Sequence, residues 1–218
     1  MKALWLICSC LMFLAQPVRG DTIYQTNSQG KEIVVQRDAI LTHEDSALVI
    51  YKHFDLKDRR VKIVTLNRGS LPFRVQTSDA GGRAQIVETW KRFGYKATIT
   101  DLAGKVTQVY DLYLDFYPPG GRGSLLESIP ARTSFPIQVD SVGPDEIEFD
   151  KIDRVEIQGG RLNITLREGK TISGKFLMPT TLPAEVRALG ITDKYSPASQ
   201  DVFDYSVPLV QLKMISFE

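Results

Sequence analysis

Cysteine is almost missing from this chain of 218 residues: Cys8 and Cys10 are the only two, and both lie within the first twenty positions. Histidine is equally scarce, with His43 and His53 alone. After Ala15 no apolar run comes near membrane-spanning length, and neither sign of charge dominates any stretch. These scarcities exclude whole classes of chemistry. A chain without cysteine past position 20 has no disulfide framework, thiolate nucleophile or cysteine metal site in that part. Without a basic patch it offers no electrostatic footprint for nucleic acid or anionic lipid. Without a long apolar run it has no transmembrane helix there.

The opening segment supplies an address. Lys2 gives a positive start, residues 3–15 are almost continuously apolar, and Val18-Arg19-Gly20 offers a processing site, which together predict a secretory signal peptide over residues 1–20. The apolar run of roughly a dozen residues is shorter than the ~20 that a spanning helix needs. Cleavage near Gly20 removes both cysteines, and loss of Lys2 and Arg19 takes the formal net charge from +1 to about −1. The expected location is extracytoplasmic, periplasmic or secreted, and export argues independently against nucleic acid as a partner.

The rest reads as mainly β. Residues 32–35, 39–42, 47–54, 61–66 and 72–76 have strand character, and 47–54 with 61–66 form a hairpin across a polar turn. One helix stands out over residues 84–93, where Ile86, Val87, Trp90 and Phe93 share a face; Ser78 or Asp79 can cap it and Gly94 ends it. Residues 96–100 and 106–117 form a second hairpin. From Ile129 onward short strands and turns follow, interrupted by a polar, proline-flanked excursion at 179–201, read as a mobile insertion with a helical turn at 186–189. The predicted fold is therefore β-rich α+β. An N-terminal antiparallel sheet with one covering helix occupies 21–124, and small SH3-like or sandwich-like units occupy 125–218.

A degenerate repeat underlies those units. Thr100-x-x-x-Gly104-Lys105 and Thr165-x-x-x-Gly169-Lys170 sit at matching points of two hairpins, with Thr26-x-x-x-Gly30-Lys31 as a third copy. Further on, Phe149, Ile152, Val155 and Ile157 are spaced by three, three and two, as are Leu209, Leu212, Ile215 and Phe217. Spacing of three and then two is what a helical turn entering a strand produces.

Residue types suited to chemistry are few. His43 and His53 stand at opposite ends of a strand, more than about 20 Å apart, which discourages a shared metal site. Along 106–117, Tyr110, Leu112, Leu114 and Phe116 fall on one face and Asp111, Tyr113, Asp115 and Tyr117 on the other, so the second face is expected to be solvated, acidic and aromatic. Asp111 and Asp115 lie about 13 Å apart at the backbone, wider than the 5 to 9.5 Å between the carboxyl groups of glycosidases. The loop Gly120-Gly121-Arg122-Gly123 adds backbone amides and one guanidinium but lacks the ending of a nucleotide loop. No serine elbow or zinc-helix signature is present, and no cofactor or metal is implied.

Phe73-Arg74-Val75-Gln76, a helix through Ala84 and Trp90, Gly94-Tyr95-Lys96-Ala97-Thr98-Ile99 and a return strand to Leu114 make a segment that resembles a SPOR domain. The resemblance covers about a fifth of the chain and lacks that module's second helix; it implies binding to peptidoglycan glycan strands. The leading expectation is a non-enzymatic binding or scaffolding protein of the cell envelope or exterior. Its partner would be an envelope polymer or another exported protein, and its site Asp111, Tyr113, Asp115, Tyr117 and Arg122. The rival expectation is an envelope-polymer hydrolase built on a carboxylate pair.

Overall fold

A computed structural model describes residues 20–44, 48–67, 72–119, 131–179, 181, 183–196 and 203–218. The described residues are mainly β and form two antiparallel sheets and one α-helix. Among the described residues no helix is long and apolar enough to cross a membrane.

The first sheet contains β1 (Asp21–Thr26), β2 (Glu32–Glu44), β3 (Leu48–Asp55), β4 (Arg60–Asn67) and β5 (Phe73–Gln76), in the order β4-β3-β2-β1-β5. β1 begins at the residue that follows the expected cleavage point. The two strands expected at 32–35 and 39–42 are one bent strand, which turns at Asp38, a non-glycine residue with φ of 52°. The expected hairpin is β3 with β4, in register from Leu48↔Asn67 to Asp55↔Arg60.

The helix α1 (Ala80–Phe93) starts earlier than the apolar spacing predicts, because Asp79 caps it by accepting a bond from the Gly82 N–H at 2.7 Å. Ile86, Val87 and Trp90 are its buried face. They pack with Ile40 and Val61 of the first sheet and with Ile191 of the second, so the helix fills the angle between the sheets. Gly94 ends the helix with φ of −70°, outside the left-handed region. It is glycine for lack of room, since a Cβ there would stand 2.7 Å from Oδ1 and 2.8 Å from Cα of Asp111.

The second sheet is a curled half-barrel of ten strands. In chain order they are β6 (Ala97–Asp101), β7 (Val106–Tyr117), β8 (Ser134–Val139), β9 (Gly143–Glu148), β10 (Ile152–Gln158), β11 (Arg161–Leu166), β12 (Thr171–Phe176), β13 (Glu185–Ile191), β14 (Tyr205–Pro208) and β15 (Leu212–Phe217). Their spatial order is β14-β13-β7-β6-β15-β10-β11-β12-β8-β9. This sheet takes strands from both sides of residue 124, itself outside the described residues. Within the excursion expected at 179–201, residues 185–191 are a strand where a helical turn was predicted. Alternating Val186 and Ala188 are buried against β7, so period two prevails over the short apolar run. The SPOR-like segment does not form one sheet, because β5 pairs with β1 while β6 pairs with β15 and β7.

The repeat is visible in the hydrogen bonding. The three Thr-x-x-x-Gly-Lys turns are alike: Gly30, Gly104 and Gly169 have φ of 76°, 82° and 87°. Each glycine N–H donates three residues back, to the carbonyl of Asn27, Asp101 or Leu166. The N–H groups of those same three residues donate to the carbonyls of Lys31, Lys105 and Lys170. The two apolar series each begin in a 310 turn, Phe149–Lys151 or Leu209–Gln211, that runs directly into β10 or β15. The registers also correspond. Ile215↔Ile99 and Phe217↔Ala97 match Val155↔Ile164 and Ile157↔Leu162. Ala97↔Val109 matches Leu162↔Gly174, and Arg187↔Pro208 matches Ser134↔Glu148. The sheet is thus two five-stranded halves, β14-β13-β7-β6-β15 and β9-β8-β12-β11-β10, joined between β15 and β10. In sequence, one copy is β6 to β10 and the next β11 to β15, so each half combines two strands of one copy with three of the other.

Candidate functional site

β7 carries the residues singled out from the sequence, and its two faces are not what alternation predicts. Val109, Leu112, Leu114 and Phe116 enter the main core, whereas Tyr110 packs with the cluster under α1. The face changes at Asp111, which adopts φ of 51°, and pairing to β13 shifts register there, between Tyr113↔Leu189 and Tyr110↔Ile191. Asp111 is a β-bulge residue, and the alternation expected through Tyr110 fails for that reason.

The face expected to be solvated is sealed. Asp111, Tyr113 and Asp115 are buried and Tyr117 is half-buried. Lys52 of β3 reaches across from the first sheet and forms an ion pair with Asp111. Its ammonium lies 4.1 Å from the centroid of the Tyr113 ring and 4.8 Å from that of Trp90, so two aromatic faces enclose it. Burial pushes the Asp111 carboxyl up and the Lys52 ammonium down, while their mutual attraction opposes both shifts. Burial raises the Asp115 carboxyl to about 7, against the bond it accepts from the Phe116 N–H at 2.8 Å and the positive charge of Lys52. Burial also pushes Tyr113 and Tyr117 upward, as does the nearby Asp115 carboxyl, while Arg187 opposes the shift at Tyr117.

This cluster has the perturbed ionisation of an active site without an opening. Its members come from β3, β7 and α1 and tie the two sheets together. Lys52 and Trp90 are the members that the sequence reading missed. A signal existed for Lys52, a lone charge amid the apolar run Leu48-Val49-Ile50-Tyr51. Arg122 and its glycine loop lie outside the described residues. His43 and His53 sit opposite Ile50 and Ala39 in the β2–β3 pairing. Among the described residues no group of three or more His, Asp or Glu side chains is placed to hold a metal ion.

An accessible apolar concavity lies elsewhere, where the β10–β11 end of the second half meets the turn that joins β14 to β15. A groove of about 410 Å³ is floored by Ile157, Leu162 and Leu209 and walled by Phe176, Met178 and Val186. Gly160 and Val210 lie on its rim, and Val210 is 65% exposed. Its size falls within the range of small-ligand sites, as does its apolar lining. Neither Asp111 nor Asp115 lines this groove or any of four other described cavities. No protein-family model, curated protein or solved structure matches the chain.

Proposed function

We propose that this is an exported, non-enzymatic binding or scaffolding protein of the cell envelope or exterior, and that the groove between β10, β11 and the Leu209–Gln211 turn is its binding recess. One observation carries this reading: the side chains singled out on β7 are buried and spent on joining the sheets, while an open groove beside Leu209 is lined mainly by apolar side chains. Hydrolysis by Asp111 or Asp115 would need a cleft that reaches them, and Trp90, Tyr113 and Lys52 occupy the space around them. The partner class is another exported protein or an envelope polymer, met after removal of the leader near Gly20.

A photo-crosslinking amino acid at Val210 tests the recess in the organism of origin. Leu102, 66% exposed in the turn after β6, serves as the control position. A discrete adduct from Val210 and none from Leu102 is expected. Equal labelling from both positions, or none from Val210, contradicts the assignment.

A further inference from the structure

The two halves of the ten-stranded sheet match residue for residue beside the groove, and the match shows what the groove lacks. The Leu112 N–H donates to the Tyr95 carbonyl at 2.9 Å, and the Phe176 N–H donates to the Gly160 carbonyl at 3.2 Å, so Tyr95 and Gly160 hold the same place. Phe149 and Leu209 likewise correspond as the first residues of the two 310 turns. In the first half the Tyr95 ring stands edge-on to Phe149, with centroids 5.4 Å apart, and its hydroxyl accepts a bond from Arg60 of β4 at 2.9 Å. In the second half the position that matches Tyr95 is Gly160 and carries no ring. Gly159 and Gly160 join β10 to β11 in a tight turn with φ of 57° and 80°, a backbone that strongly favours glycine, and the space above Leu209 is the groove.

We infer that the groove beside Gly160 receives an aromatic side chain of a partner polypeptide, in the place that Tyr95 fills in the other half. The inference rests on the reading of this groove as the binding recess and adds the chemistry of its occupant. The molecule's own occupant of the matching place is a tyrosine side chain, packed on Phe149 and bonded by Arg60 of another strand, which is why the occupant is a side chain and its source a protein. Charge agrees. Glu185 is the charged residue among those lining the groove, and its carboxylate accepts a bond from Arg187 at 2.6 Å. A neutral ring or a phenol is therefore admitted and an anionic ligand disfavoured. The groove exceeds a single ring in volume, leaving room for the backbone that carries it.

The test uses the full chain with methyl-labelled side chains and two probes, p-cresol and N-acetyl-tyrosine methylamide, followed by NMR. Both are expected to shift the methyl signals of Ile157, Leu162, Val186 and Leu209 saturably. Val210→Trp and, independently, Met178→Trp place a ring in the groove from its rim and are expected to abolish those shifts. Shifts scattered over the surface, or unchanged in both variants, overturn the inference. So does saturable binding of p-cresol with exclusion of the amide, which would make this a site for free aromatic molecules. A photo-adduct from Val210 with no binding of either probe also overturns it, while leaving the binding-protein reading in place.

Discussion

Gly94 and Gly159 stand at the same point of the repeated unit and are glycine for different reasons. At Gly94 a side chain would strike Asp111; at Gly159 it would meet nothing within 4 Å, but the backbone is left-handed. One residue later the halves part company, with Tyr95 filling its half and Gly160 leaving the other open. The outer faces of the matching strands differ in the same sense. On β7 the bulge at Asp111 and the buried Tyr113 receive the first sheet and the helix. On β12 Lys175 is exposed, and just beyond its end so is Leu177. A repeated backbone with one register has thus been given two jobs: one half docks the rest of the chain, and the other leaves a recess.

The largest expected effect comes from breaking the dock. Lys52→Met leaves Asp111 buried and unpaired and should cost about 3–5 kcal/mol at neutral pH, because removing one partner of a buried ion pair strands the other charge. Adding Asp111→Asn, which tolerates the bulge conformation, should recover a substantial part. Denaturant unfolding of the two variants measures both numbers; equal stability of single and double variants would show that the pair does not hold the sheets together.

Next in size is a pH dependence peculiar to the docked half. The Asp115 carboxyl is raised in the folded protein from 3.8 to about 7, so the unfolded chain releases this proton more readily. The contribution to stability is fully present below pH 3.8 and is lost as pH rises through about 7, by a few kcal/mol. Asp115→Asn should flatten the stability profile across that window and make the protein more stable than wild type at pH 8. A profile unchanged by the substitution would contradict the burial of this group.

Tyr95→Ala should make the halves alike. Loss of the half-buried ring and its bond from Arg60 should cost about 2 kcal/mol, and the variant should gain a second p-cresol site that shifts signals around Phe149. Stability loss without a second site would break the equivalence of Tyr95 and Gly160. The smallest effects separate the glycines themselves. Gly94→Ala should cost about 1–3 kcal/mol through overpacking against Asp111, and Gly159→Ala about 1 kcal/mol through backbone strain alone. Only the former should respond to the Lys52→Met background, because only Gly94 touches the dock.

Much of this architecture is legible in the sequence because it is local. The Thr-x-x-x-Gly-Lys turns are written in the glycine and the spacing, and the 310 turns before β10 and β15 in apolar spacings of three and then two. The helix is legible from Ile86, Val87 and Trp90, although its first turn, held by the Asp79 cap, lies outside the apolar pattern. The strand at 185–191 was missed because Val186-Arg187-Ala188-Leu189 suits either period over so few residues. The candidate site was legible in its residues and misleading in its exposure. Alternation places Asp111, Tyr113 and Asp115 on one face, but only the tertiary fold brings Lys52 and Trp90 over them, and a charged pair buried between sheets looks like a solvated face in one dimension. The groove left no sequence signal, since it is defined by a side chain missing at Gly160 relative to a counterpart at Tyr95.

That missing side chain is what opens the recess, and intermolecular NOEs between p-cresol and the full chain test it most directly. NOEs from the ring protons to the methyl groups of Leu209, Leu162 and Ile157 are the expected result, placing the ring over Leu209 as Tyr95 lies over Phe149. NOEs confined to exposed apolar residues such as Leu56 and Val142, with none to Leu209, would contradict it.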